Sequence, residues 1–255
     1  SSGLITGSSS AVGTTTDSTI TVTATSTAAA DGTTKGSISR QFIVRQLQPQ
    51  TTQITSTAVG TYTVPTGLTT IDVLLVGCGG NGGGHHTGGG GGGGLVYRPA
   101  LPVTPGAAIP HSLASAQSVS TNYSTRGDDS AFGPLTALTG GNGRTGGQST
   151  YPPSSTSKDS PFVGGSGAGG CHSPNPTHGG NQGIQTSEAG DSGTYGFGNP
   201  GGNGSYPGPR ATGGGGGGAG GAGGNGGGNG GNGGNGKAYS ISGSSVTYAG
   251  GGGGG

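Results

Sequence analysis

Between Gly213 and Gly236 the chain has almost no side chains, and the few present recur at a fixed step. Ala219, Ala222 and Asn225 lie three apart; after Gly226-Gly227-Gly228 shifts the register by one, Asn229, Asn232 and Asn235 resume the step. Two residues in every three therefore remain glycine. Three residues per turn, with a rise of about 3.1 Å, is the repeat of a polyproline II-type helix, which makes no hydrogen bonds within itself. Its N–H and C=O groups must find partners on neighbouring segments or in water. Glycine on the facing sides lets backbones meet, adding Cα–H···O contacts of about 0.5–1 kcal/mol each. The residue at every third place then faces outward or occupies a bundle edge.

Similar runs occur at 79–84, 88–94, 164–170, 199–204 and 249–255, separated by strand-length apolar islands and turn-rich loops. Several comparable tracts and a regular Ala/Asn spacing argue for an ordered bundle of polyglycine II helices over a flexible glycine linker. Collagen is excluded, because the chain has only 15 Pro and the tracts carry two glycines per triplet.

Composition narrows the classes further. With 69 Gly among 255 residues, 25% hydrophobic residues and neither Trp nor Met, an ordinary globular core is not expected. Charged residues are only 7% and the net charge is +1, unlike charge-driven disorder. Nine basic and eight acidic residues spread along the chain give no footprint for nucleic acid or an anionic membrane. The best apolar run, Ile71 to Val76, has the length of a strand, not of a membrane span. The chain begins at Ser1, which reads as a processed form or a fragment. Cys78 and Cys171 set no disulfide framework; they either pair in an oxidising compartment or stay as small buried thiols.

Residues 1–55 are rich in Ser and Thr. Alternation at Thr19 to Thr23 and at Ile38 to Val44 predicts two strands of a β neck or partial immunoglobulin-like module. Residues 56–255 form the glycine-rich domain, in which Gly60 to Pro65 and Ile71 to Val76 predict a β base for the tracts. Glycine and proline at this density break helices, so the expected fold is mainly β and irregular, with short β-sandwich-like strands, a polyglycine II bundle and essentially no α-helix.

The run Gly60 to Gly80 (GTYTVPTGLTTIDVLLVGCGG) resembles the opening of the glycine-rich domain of bacteriophage tail fibres and adhesins. Collinear pieces follow at Gly88 to Tyr97, Pro102 to Gly106, Asp129 to Gly133 and Gly236 to Gly250, so the likeness covers about 60–255. At Ile109-Pro110-His111 the chain departs from the strand that the family continues with. The resemblance implies a non-enzymatic segment of a virion tail or extracellular surface. Its loops would recognise a host cell-surface receptor, and its other partners would be fibre subunits, as a homo-oligomer. A self-assembling extracellular filament is the rival reading.

Catalytic, cofactor and metal sites are not expected. His85 and His86, adjacent on an extended chain, would point to opposite sides without a further ligand, which favours a solvated loop. Cys171, His172 and His178 lack an orienting acid, and the glycine runs lack the following helix or Gly-Lys-Ser/Thr of a phosphate loop. The acidic residues show no calcium-loop spacing. The expected receptor-binding residues are Tyr123, Tyr151, Phe162, His172, His178, Tyr195, Phe197 and Tyr206, with Arg126, Arg144 and Arg210 nearby. Tyr and Arg dominate recognition surfaces, although these aromatics serve equally to pack over the bundle ends.

Overall fold

In a computed structural model of the chain, the residues described are 16–27, 34–46, 50–55, 59–115, 126–146, 160–172, 179–185, 196–206 and 211–255. The chain divides into two compact units, Ser1–Gln53 and Ile54–Gly255. Among the described residues there are strands and irregular segments but no helix.

Among the described residues, the first unit holds one antiparallel pair, β1 (Thr16–Thr27) and β2 (Thr34–Gln46). Its register sets Ile20 opposite Phe42 and Val22 opposite Arg40 on one face. Thr19 opposite Ile43, Thr21 opposite Gln41 and Thr23 opposite Ser39 make the other, where the Thr23 and Ser39 hydroxyls share a 2.7 Å hydrogen bond. The two strands predicted at Thr19 to Thr23 and at Ile38 to Val44 lie within β1 and β2.

In the second unit the strands are β3 (Gly60–Thr63), β4 (Thr70–Val76), β5 (Leu95–Pro102), β6 (Ala108–Ser112), β7 (Ser130–Phe132), β8 (Leu135–Ala137), β9 (Gly196–Phe197), β10 (Lys237–Tyr239) and β11 (Val246–Tyr248). They make three antiparallel sheets, ordered β3-β6-β7-β8, β4-β5-β9 and β10-β11. Val73, Leu75, Val96, Leu101, Phe132, Leu135 and Ala137 form an apolar core, with Ile54, Tyr62, Ile71, Val103, Ile109 and Leu113 packed against it. A small conventional core therefore does form, because the few large apolar residues are concentrated in these strands. The departure at Pro110 does not break its strand: β6 pairs on both sides, and Pro110, which has no N–H to give, accepts from Gly133 at 2.9 Å.

Several glycine segments adjoin these strands directly: 77–84 follows β4, 88–94 precedes β5, 138–144 follows β8 and 249–255 follows β11. Segment 213–219 lies at their centre and is buried throughout. Its N–H groups serve three neighbours in turn. Gly214 and Gly217 donate to Gly170 and Gly167, Gly215 and Gly218 to Gly224 and Gly221, and Gly213, Gly216 and Ala219 to Gly255, Gly252 and Ala249. Its carbonyls accept from three others: Gly214 and Gly217 from Gly89 and Gly92, Gly215 from Gly202, and Gly213 and Gly216 from Gly231 and Gly234. All these bonds measure 2.7–2.9 Å, and the register advances three residues at a time on both partners. Buried backbone groups are thus satisfied by other segments rather than within a helix or sheet. Glycine is required sterically: a Cβ on Gly216 would strike the Gly90 carbonyl. Asparagines stitch the rim, with Asn203 Oδ1 accepting from Gly180 N at 2.7 Å and Asn225 Oδ1 from Asn203 N at 2.8 Å.

Candidate functional site

The segments share two ends. At one, Gly77, Gly94, Leu138, Gly165, Ala219 and Ala249 adjoin the strands. At the other lie Gly83, Gly88, Arg144, Gly170, Thr212, Gly226 and Gly255. The described residues that border 147–159, 173–178 and 207–210 all belong to this second end. Gly146 N donates to His85 O (3.3 Å), His172 N to His86 O (3.2 Å), and Ser205 N to Thr212 O (2.8 Å) beside Tyr206 and Ala211.

An aromatic cluster stands at that end. The His86 and His172 rings meet edge-on with centroids 5.9 Å apart, and His172 lies 5.0 Å from the Tyr206 ring, which is 49% exposed. His85 and His86 occupy left-handed backbone (φ 58° and 44°), a conformation that costs a residue with a Cβ of order 1–3 kcal/mol. The extended chain expected for this pair is therefore replaced by a turn, which brings His86 onto His172. Exposure of His85 and His86 agrees with a solvated loop, but the contact with His172 was not foreseen.

Beneath the cluster, Arg144 is buried with its guanidinium 4.3 Å above the Phe162 ring and Nη2 donating to Asn181 Oδ1 at 3.5 Å. Burial lowers the Arg144 pKa, and the Cys171 charge acts in the opposite sense. Burial likewise pushes the Cys171 thiol up, opposed by the nearby Arg144 charge and a backbone hydrogen bond. A thiol held protonated is a poor nucleophile. Cys78 and Cys171 are both free and lie toward opposite ends of the segments.

Of the expected binding residues, His172 and Tyr206 come together. Phe162 is only 1% exposed, so as placed it packs in the interior and does not meet solvent. Phe197 lies at the strand end, in β9, under Lys237 Nζ at 4.1 Å. Tyr123, Tyr151, His178, Tyr195 and Arg210 lie outside the described residues. Arg126 pairs with Asp129 at 3.2 Å. Among the described residues no three His, Cys, Asp or Glu side chains gather as a metal site would require.

No curated protein and no solved structure matches the chain. A family defined as a glycine-rich domain matches residues 52–255, which include every glycine segment and all three sheets of the second unit. By that match the chain belongs to the glycine-rich domain family.

Proposed function

We propose that the chain is a non-enzymatic adhesin-type module, of the kind carried by phage tail fibres, that presents loops to a host cell surface. In this reading the glycine segments are polyglycine II helices forming a stiff column, the strands are its base, and recognition resides at the far end. The observation that carries it is the convergence there of His86, His172 and Tyr206 with described residues that border 147–159, 173–178 and 207–210. Glycine segments offer no side chains with which to discriminate ligands, so specificity falls to the loops at their ends. The left-handed histidine pair adds support. In a chain with 69 glycines, two left-handed places are given to imidazoles, where glycine would sit without strain. The surroundings are a virion tail or extracellular surface, and the partners are a receptor and other fibre subunits.

The test is binding of the labelled chain to a panel of intact bacteria. Tyr206→Ala combined with His172→Ala should lower binding to any strain recognised by about thirty-fold or more, since anchors of this type often carry 2 kcal/mol or more, with thermal stability unchanged. Phe197→Ala, at the strand end, should leave binding intact. Undiminished binding by the double variant would refute the assignment.

A further inference from the structure

Among the described residues, segment 88–94 is one neighbour short of the arrangement around 213–219. Going round it, its partners alternate in role. It accepts from 77–84 (Gly77 N to Gly94 O, Gly80 N to Gly91 O, Gly83 N to Gly88 O) and donates to 138–144 (Gly88 N to Arg144 O, Gly91 N to Gly141 O, Gly94 N to Leu138 O). It then accepts from 164–170 through Ser166 and Gly169, donates to 213–219 through Gly89 and Gly92, and accepts from 249–255 through Gly252. The remaining place, between 249–255 and 77–84, is where the alternation calls for a donation.

The N–H groups left for that place belong to Gly90 and Gly93. Both residues are buried, yet neither N–H donates a hydrogen bond to any described residue. Buried backbone donors are rarely left unmet. The carbonyls of Gly80 and Gly77 lie against the Cα atoms of Gly90 and Gly93 and receive no N–H from a described residue either. One wall is Gly252, whose Cβ would stand 3.4 Å from Gly90 N; the other is Gly79, whose Cβ would stand 3.7 Å from Gly91 O. Among the described residues the place is therefore a groove with donors on its floor, acceptors on one wall and no side chain on its nearest residues.

We propose that this groove docks one extended strand of another polypeptide, with glycine at least at every third position. Gly90 and Gly93 are three residues apart, so the occupant must present a carbonyl at a three-residue step, as the neighbours of 88–94 do. The residue facing them must lack a Cβ, because a Cβ at a filled place meets backbone, as at Gly88, Gly91 and Gly213. Hydrogen bonds supply the affinity and the steric demand supplies the selectivity, as in strand addition to a sheet edge. A separate strand fits better than a second copy, whose outer repeats expose Ala222, Asn225, Asn229, Asn232 and Asn235 at every third place.

The test uses the full chain, a capped (Gly-Gly-Asn)4 peptide and amide exchange read by NMR. Peptide should slow exchange at Gly90 and Gly93 by about ten-fold or more and leave Gly92, already bonded, unchanged. Gly252→Val, which fills the groove, should abolish this; Gly253→Val, whose Cβ has only Gly231 O at 3.8 Å for company, should not. If Gly252→Val perturbs the folded spectrum, Gly79→Val is the second block. An (Ala-Ala-Asn)4 peptide should be inert. No slowing at saturating peptide, equal slowing by the alanine peptide, or slowing that survives both blocks would overturn the proposal. So would slowing that appears without peptide as protein concentration rises, since the occupant would then be a second copy. The outcome is independent of whether the far-end loops bind cells.

Discussion

In the β1–β2 hairpin successive residues present side chains to alternate faces, and Ile20, Phe42 and Ile43 remain exposed, the last two by 54% and 71%. In segment 213–219 the backbone meets backbone on every side and side chains are nearly absent. The hairpin joins two strands by backbone ladders while Ile20, Phe42 and Ile43 stay exposed, and an isolated two-stranded sheet is at best marginal in water. The glycine segments contribute little side-chain burial, yet each bond, worth about 1 kcal/mol net, ties one segment to another. Apolar residues are thus not the only route to a buried interior: saturated backbone is another, provided that no Cβ intrudes.

The sharpest way to break that comparison is to put a side chain where backbone meets backbone. Gly216→Val would drive its Cβ into the Gly90 carbonyl and should cost more than about 4 kcal/mol, enough to abolish cooperative unfolding of the second unit. Thr21→Val, on the exposed polar face of the hairpin, should change stability by less than about 0.5 kcal/mol. Thermal unfolding of the two variants decides it, and equal losses would mean that the central segment is not tightly packed.

A smaller effect comes from alkaline pH. Burial raises the Cys171 pKa above its ordinary 9.0, so the neutral thiol is favoured in the folded chain. Its contribution is complete below pH 9.0 and is lost as pH rises through the higher folded value. Burial and Tyr97 raise the Tyr239 pKa as well, so the difference between wild type and Cys171→Ala isolates the thiol. The wild-type melting temperature should fall more steeply above pH 9.0 than that of Cys171→Ala; parallel curves would show water reaching the thiol.

The smallest expected effect is in the hairpin. Phe42→Ser removes an exposed ring and should shift stability by no more than about 0.5 kcal/mol in the lone chain. A larger loss that grows with protein concentration would show that another copy covers the face, and would bring the two regions closer in kind.

Much of the scaffold was legible. Alternation at Thr19–Thr23 located β1, and the Ala/Asn step of three anticipated the step at which hydrogen bonds advance between segments. The site was less so. His86, His172 and Tyr206 belong to different loops, and no local pattern says that 83–88 and 170–172 end on the same side. Arg144 over Phe162 was hidden for a related reason: as a residue type Arg suggested a surface, and burial beside an aromatic ring and Asn181 is a property of the folded neighbourhood.

By itself the sequence determined which residues lack a Cβ and at what step side chains interrupt them, and therefore where backbones are able to meet. Only the tertiary structure decided which segments meet, because a glycine segment carries no side-chain code for its neighbour. The strands supply that choice: β4 leads into 77–84, β5 follows 88–94, β8 precedes 138–144, and their register at one end sets the alignment of the whole bundle. The gathering of His86, His172 and Tyr206 at the other end, and the lack of a described acceptor for the Gly90 and Gly93 N–H groups, are consequences of that alignment.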